Sequence, residues 1–294
     1  MQNMKKMFLC CLTLISPVLN TKVLFKRRYG RSINLDNPVL FDEKIHWLKL
    51  NTYLNNKLVS QCADKYGVRD YVEKCGCGEI LNELYGVWDT VEEIPWKSLP
   101  NSFVIKLNCG CHQNLICRDK SKLDIKGAIR EIRGWFKERH LFYLSHAEMQ
   151  YKNITPKLVC EKIIETENGD LPVDYKVYCF DGKPDCVLLC KGRDENGANA
   201  KFYFLDSKGN FLRYNKGDEN YPEDFSVALP KGFKQLFEYA EKLSKPFPFV
   251  RADFYLENGK ITFGELTFTP AAGYDRDISL ETQHILGEKL KLRK

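Results

Sequence analysis

Residues 250–273 read VRADFYLENGKITFGELTFTPAAG. Two runs of alternating character flank Glu257-Asn258-Gly259, and Asn-Gly between such runs predicts a β-hairpin. Each arm carries a carboxylate among hydrophobic residues, Asp253 in the first and Glu265 in the second. With the Asn258-Gly259 turn setting the register, both face inward on adjacent antiparallel strands. Two inward carboxylates repel, and the pKa of one should rise, unless a cation sits between them. Mg2+ suits that place, because it takes oxygen ligands and bridges to phosphate. Arg251 is two residues before Asp253 and so shares its face. A guanidinium there can hold a transferred phosphoryl group or an acyl-phosphate. Thr267 stands in the same relation to Glu265 and could add an oxygen. The alternative is a purely structural Arg-Asp-Glu ion network.

Outward from the hairpin the pattern stays rich in strands. Lys157–Ile164, Asp174–Phe180 and Asp185–Cys190 read as strands, with a hairpin turn at Asp181-Gly182. A further hairpin spans Lys201–Tyr214 across Ser207–Asn210, and Phe233, Leu236, Phe237, Ala240 and Leu243 mark a helix before the opening stretch. Ser102–Leu107 and Asn114–Cys117 form a strand pair around the turn Asn108–Gln113, followed by an amphipathic helix through Ile125, Ile129, Ile132 and Phe136. Residues 278–293 read as a last helix. Upstream, residues 41–58 and 63–72 read as helices, and 87–100 as loop with Pro95 and Pro100 as breakers. The pattern predicts an α+β protein with a mainly antiparallel core in its C-terminal two thirds.

The 294 residues are 44% hydrophobic, ample for a large core. A net charge of +6 without a basic stripe excludes a dedicated nucleic-acid binder and suits an anionic small ligand. Of twelve cysteines, Cys160, Cys179, Cys186 and Cys190 sit inside apolar strands, as small hydrophobes do in a reduced protein. Cys75, Cys77, Cys109, Cys111, His112 and Cys117 form a looser group whose Cys-x-Cys spacing is a weak zinc signal. Lys5-Lys6 before the apolar run Met7–Leu19 resembles an export signal, but no small-x-small site follows and the basic Lys22–Arg28 segment comes next. The run is short for a membrane span. It is expected as a helix on the domain or, through residues 7–28, at a membrane surface.

Lys106 stands in an apolar strand before a small-residue turn, where a lysine and the turn's amides could meet a phosphate; the alternative is a lysine snorkelling from an edge. The turn is not a P-loop. Val159–Glu165 is an extended run whose backbone could read an adenine edge, with a following carboxylate for ribose hydroxyls; an ordinary amphipathic strand reads the same way.

In order, the strand lysine, the CEKII segment (160–164) and VRADFY…GELTFTP resemble the ATP-grasp superfamily, and more closely its TupA-like branch, linked to bacterial surface polysaccharide and teichuronopeptide synthesis. The likeness also includes FDEKIHWLKLN (41–51), CADKYGVRDYV (62–72), LYGVWDT (84–90), FVIKLNCGCHQN (103–114) and DYKVYCFDGKP (174–184). It implies an ATP-grasp fold: a helical N-terminal region over 1–95, a small lid subdomain over 96–160 and a large subdomain over 161–294, with ATP between the last two. Lys106 would reach the phosphates under a lid of Cys109, Gly110, Cys111 and His112. Glu161, Lys162 and Ile163 would line the adenine, and Glu165 or Asp170 the ribose. Asp253, Glu265 and Thr267 would hold Mg2+, beside Arg251. Lys176 would be a second phosphate or substrate contact, and Arg193 an acceptor contact. Many superfamily members have Glu-x-Asn where this chain has Glu265-Leu-Thr267, so Thr267 is the weaker ligand.

The resemblance implies an ATP-dependent carboxylate–amine ligase acting through an acyl-phosphate. Its substrates would be a sugar acid or an amino acid of a surface glycan, and its place the cytoplasm or the inner membrane face. Three rivals stand beside it. One is a kinase using the same ATP site. Another is a glycosyltransferase using Asp275-Arg-Asp277 for Mn2+ and a nucleotide diphosphate. The third is a non-catalytic binder, against which the intact Lys106, Arg251, Asp253 and Glu265 argue.

Overall fold

A computed structural model describes residues 2–111, 113–166, 170–193 and 199–293. Helices α1 (Gln2–Ile15), α2 (Pro17–Tyr29), α3 (Phe41–Leu50), α4 (Lys57–Ala63) and α5 (Gly67–Lys74) come first. Strands β1 (Leu84–Trp88), β2 (Phe103–Leu107) and β3 (Asn114–Cys117) lead to α6 (Ile125–Ser145) and β4 (Leu158–Glu161). Then come β5 (Asp174–Phe180), β6 (Lys183–Lys191), β7 (Lys201–Asp206), β8 (Phe211–Leu212), α7 (Phe233–Ser244), β9 (Phe249–Glu257), β10 (Lys260–Thr267) and α8 (Leu280–Lys289).

The chain forms two compact units from interleaved segments. One comprises residues 1–31, 53–71 and 82–164; the other comprises 32–52, 72–81 and 165–294.

The first unit contains a four-stranded antiparallel sheet in the order β1-β4-β2-β3. β1 lies in the part of the sequence read as mainly helical; its Gly86 and short length hide the alternation. The apolar run expected as one helix is two, because Pro17 has no N–H to continue the first. Ser16 caps the second helix, accepting from the Leu19 N–H, and Gly30 ends it at φ 72°. Among the described residues no helix is long and apolar enough to cross a membrane.

The second unit is built on a six-stranded antiparallel sheet in the order β10-β9-β5-β6-β7-β8. Its two hairpin turns match the sequence: Asn258-Gly259 and Asp181-Gly182 all have positive φ, as a two-residue hairpin demands. One face of β5 and β9 is apolar, with Val177, Cys179, Val250, Ala252 and Phe254 fully buried. It packs against α7, whose Leu236, Ala240 and Leu243 recur at helical spacing and are fully buried. Burial of each leucine contributes roughly 1.5–3 kcal/mol. The helix expected over 41–58 stops at Leu50, and α4 restarts at Lys57 with Asn56 as its cap. α3 begins where Glu43 reaches back to accept from the Val39 and Leu40 N–H groups.

Candidate active site

The other face of the second sheet grades from apolar to ionic along its strands. Paired residues share a face, so the register gives the rows. Phe180 opposes Phe249, and both rings meet Phe41 of α3. Next, Tyr178 opposes Arg251, which opposes Thr267. Then Lys176 opposes Asp253, which opposes Glu265. Last, Asp174 opposes Tyr255. Six of the residues singled out from sequence stand on or beside this face: Lys176, Arg193, Arg251, Asp253, Glu265 and Thr267.

The turn alone does not align the two carboxylates. Glu257 pairs with Lys260 and Phe254 with Phe263, the register that an Asn-Gly turn sets. Continued, it would put Gly264 opposite Asp253 and Glu265 on the α7 side of the sheet. An irregularity between Phe263 and Glu265 inserts Gly264 and brings Glu265 opposite Asp253. A side chain at Gly264 would place its Cβ 2.9 Å from the backbone oxygen of Asp253. The glycine is what lets the two strands approach there.

Asp253 is buried and meets protein cations, not bare repulsion. Arg251 donates to it through two nitrogens, each 2.7 Å away, and Lys176 donates at 3.0 Å. Bidentate and charge-assisted, these are the stronger kind of hydrogen bond. The expectation of an uncompensated carboxylate pair is corrected here: the strand pairing brings Arg251 and Lys176 to the same carboxylate. Lys176 also pairs with Asp174 at 3.3 Å, and Arg193 reaches Asp174 at 2.8 Å. Thr267 donates to Glu265 at 3.1 Å and accepts from Arg251 at 3.2 Å. Burial opposes the Lys176 ammonium, but Asp253, then Asp174 and Glu265, outweigh it despite Arg251, and its pKa stands above the usual lysine value. Arg251 is shifted the same way: burial is overcome by Asp253. Burial drives the Tyr178 and Tyr255 hydroxyls up, so both stay protonated.

Does this donor set fit Mg2+? Two facing carboxylates and a hydroxyl are hard oxygen donors, which suits the ion. Both oxygens of Asp253 already accept from cations, and among the described residues no group of three or more His, Cys, Asp or Glu is assembled to hold a metal. The residues therefore fit Mg2+ as one or two carboxylate ligands completed by phosphate oxygens, not as an all-protein cage.

In the first unit, Lys106 of β2 and Glu161 of β4 form a direct ion pair at 2.8 Å. Arg69 of α5 meets the other oxygen of Glu161 at 3.1 Å. The backbone of Lys162 is engaged: its N–H donates to Glu83 O and its C=O accepts from Asn82. Cys109 is buried and Cys111 exposed in the turn after β2, and Gly110 O accepts from Lys65 at 2.8 Å. His112 lies outside the described residues. Glu165 and Asp170 are exposed, with the Asp170 carbonyl accepting from Thr166.

Two charged residues of these clusters escaped the sequence reading. Asp174 was findable: it stands two residues before Lys176 in a strand and so shares its face. Arg69 carried no local signal, since helix packing alone brings it to Glu161. Asp275 and Asp277 form a turn in which the Asp277 N–H donates to the Asp275 carboxylate at 3.0 Å. None of the twelve cysteines is joined in a disulfide.

The model of the TupA-like ATP-grasp family matches residues 43–291, and the chain belongs to that family. Among solved structures it is similar to D-alanine–D-alanine ligase from Bacillus anthracis complexed with ATP. The identity is 14%, over 79% of this chain and 66% of that one, with a TM-score of 0.48. It is also similar to the ATP-grasp ligase PsnB complexed with a minimal precursor (14% identity, 85% and 66% covered, TM-score 0.43). A third is phosphoribosylamine–glycine ligase from Thermotoga maritima (19% identity, 72% and 49% covered, TM-score 0.40). The chain spans about two thirds or less of the length of these relatives. No curated protein matches it.

Proposed function

We propose that this protein is an ATP-dependent, ADP-forming carboxylate–amine ligase. The observation that carries the reading is the row Lys176–Asp253–Glu265, with Asp253 buried and Arg251 beside it, in a chain of the TupA-like ATP-grasp family. A carboxylate substrate attacks the γ-phosphorus of ATP, ADP leaves, and the amine then attacks the acyl-phosphate carbon and expels phosphate. Mg2+ bound by Asp253 and Glu265 would neutralise phosphate charge. Arg251 and Lys176 are fixed cations for the same purpose, so positioning and charge do the catalysis without a protein nucleophile. Lys106 is assigned to the phosphates and Thr267 to the metal. The lid turn at Cys109–Cys111 is assigned to cover the phosphates, Glu161, Lys162 and Ile163 to line the adenine, and Glu165 or Asp170 to the ribose. Arg193, held by Asp174, is assigned to the acceptor. The family's branch points to a sugar acid or amino acid of a surface glycan as the acceptor.

The test is thermal stability with Mg-ATP, Mg-ADP and Mn-UDP, on the natural protein and on Asp253→Asn. A ligand at 100 times its Kd adds about 2.7 kcal/mol. Stabilisation by Mg-ATP that weakens in Asp253→Asn is expected. Stabilisation by UDP alone would overturn the reading in favour of a glycosyltransferase. Release of ADP and phosphate only when both carboxylate and amine are present separates a ligase from a kinase, which makes ADP with one acceptor and no free phosphate.

A further inference from the structure

Helices α1 and α2 bury Cys10, Leu24 and Phe25, yet they also turn polar side chains inward and large apolar ones outward. The side chains turned inward include Thr13, Asn20 and Thr21, all buried. Thr13 donates to the carbonyl of Leu144 in α6 at 2.6 Å, and Asn20 donates to Leu9 O at 2.7 Å and Ser145 O at 3.4 Å. Outward stand Met4, Met7, Phe8, Leu14, Ile15 and Val18, with Leu14 and Ile15 72% and 76% exposed. Positions 4, 7, 8, 14 and 15, with exposed Cys11 between them, recur at three- and four-residue intervals, so on α1 they form one stripe. A helix pair that merely packed on its domain would bury these and show Thr13 and Asn20 to water. The hydrogen bonds to α6 fix the opposite orientation. A contiguous stripe of large apolar side chains on an outer face marks an interaction surface.

Charge identifies what covers it. The first acidic residue of the sequence is Asp36, whereas Lys5, Lys6, Lys22, Lys26, Arg27 and Arg28 all precede it. Lys5, Lys22, Lys26, Arg27 and Arg28 are exposed on the same two helices. An exposed apolar stripe on helices whose only charged residues are cations suits an anionic bilayer, where acyl chains take the stripe and headgroups the cations. A protein partner would have to supply a matching apolar patch and a rim of carboxylates. No helix here can cross a membrane, so the pair would lie in the interface plane. We propose that the α1–α2 face docks this protein on anionic phospholipid membranes. This goes beyond the ligase reading and does not depend on it.

The test is co-sedimentation of the full chain with vesicles. One set is equal phosphatidylglycerol and phosphatidylcholine, the other phosphatidylcholine alone, at about 0.1 M and about 1 M salt, where screening lengths are about 10 and 3 Å. Binding at least tenfold stronger to the anionic set, weakened by high salt, is expected. The triple variant Phe8→Ser, Leu14→Ser and Ile15→Ser should lose it. So should Lys22→Gln with Lys26→Gln and Arg27→Gln. All these positions are exposed, so both variants should melt as the natural protein does. Two results would overturn the proposal: no binding to either vesicle, or a concentration-dependent dimer that the triple serine variant abolishes, which would assign the stripe to a second copy of the chain.

Discussion

Asp253 accepts from Arg251 and Lys176 inside a sheet face where almost no water reaches it. Removing one partner of such a network leaves a buried charge and costs about 3–5 kcal/mol. Asp253→Asn keeps the volume but removes the charge that faces two cations. It should lower ATP-dependent ADP release at least about 100-fold, measured by coupled assay. Lys176→Met should destabilise by about 3 kcal/mol near neutrality. The pH dependence follows from the raised pKa of Lys176. A base whose folded-state pKa is raised contributes its full stability below its unfolded pKa, about 10.4, and loses it as pH rises through the folded value. The gap in Tm between the natural protein and Lys176→Met should therefore stay constant from about pH 6 to 9 and narrow only above about 10.4. A gap that already closes by pH 8 would mean the lysine is not held by these carboxylates.

At the scale of elements, the β9–β10 hairpin shows what alternation can and cannot convey. Asn258-Gly259 marks the turn and Arg251, Asp253 and Tyr255 share a face by simple parity. The same parity puts Glu265 on the wrong face, because it cannot see a bulge. The legible hint was Gly264, a small residue inside a strand. Gly264→Ala should destabilise by about 1–3 kcal/mol, since its Cβ would meet backbone, and should weaken Mg-ATP stabilisation together with Tm. Gly134→Ala is the contrast: it lies inside α6 with open space around it and should stabilise by roughly 0.5–1 kcal/mol. Calorimetric melting checks both. Elsewhere the helix α7 and the strands β5, β6, β9 and β10 were readable from periodicity, whereas β1 was not, for its pairing with β4 comes from distant residues. The Arg69–Glu161–Lys106 cluster was half readable: the strand lysine and glutamate stood out, the helix arginine did not.

For the molecule as a whole, a metal site that phosphate must complete has a measurable sequel. Mg2+ alone should give no titratable heat, and Mg2+ added with ATP should, by isothermal calorimetry. Saturable Mg2+ binding without nucleotide would refute the assignment of Asp253 and Glu265 as ligands that phosphate must complete. The interleaving of the two units bears on how the chain is made. Residues 32–52 and 72–81 belong with 165–294, and Phe41 packs on Phe180 and Phe249. A ribosome adding about 5–20 residues per second needs roughly 10–40 s to travel from Phe41 to Phe249. Throughout that interval Phe41 and its neighbours are apolar surface waiting for a sheet not yet translated, so the nascent chain is a natural client for a holding chaperone, and a fragment ending at residue 164 should aggregate through that surface.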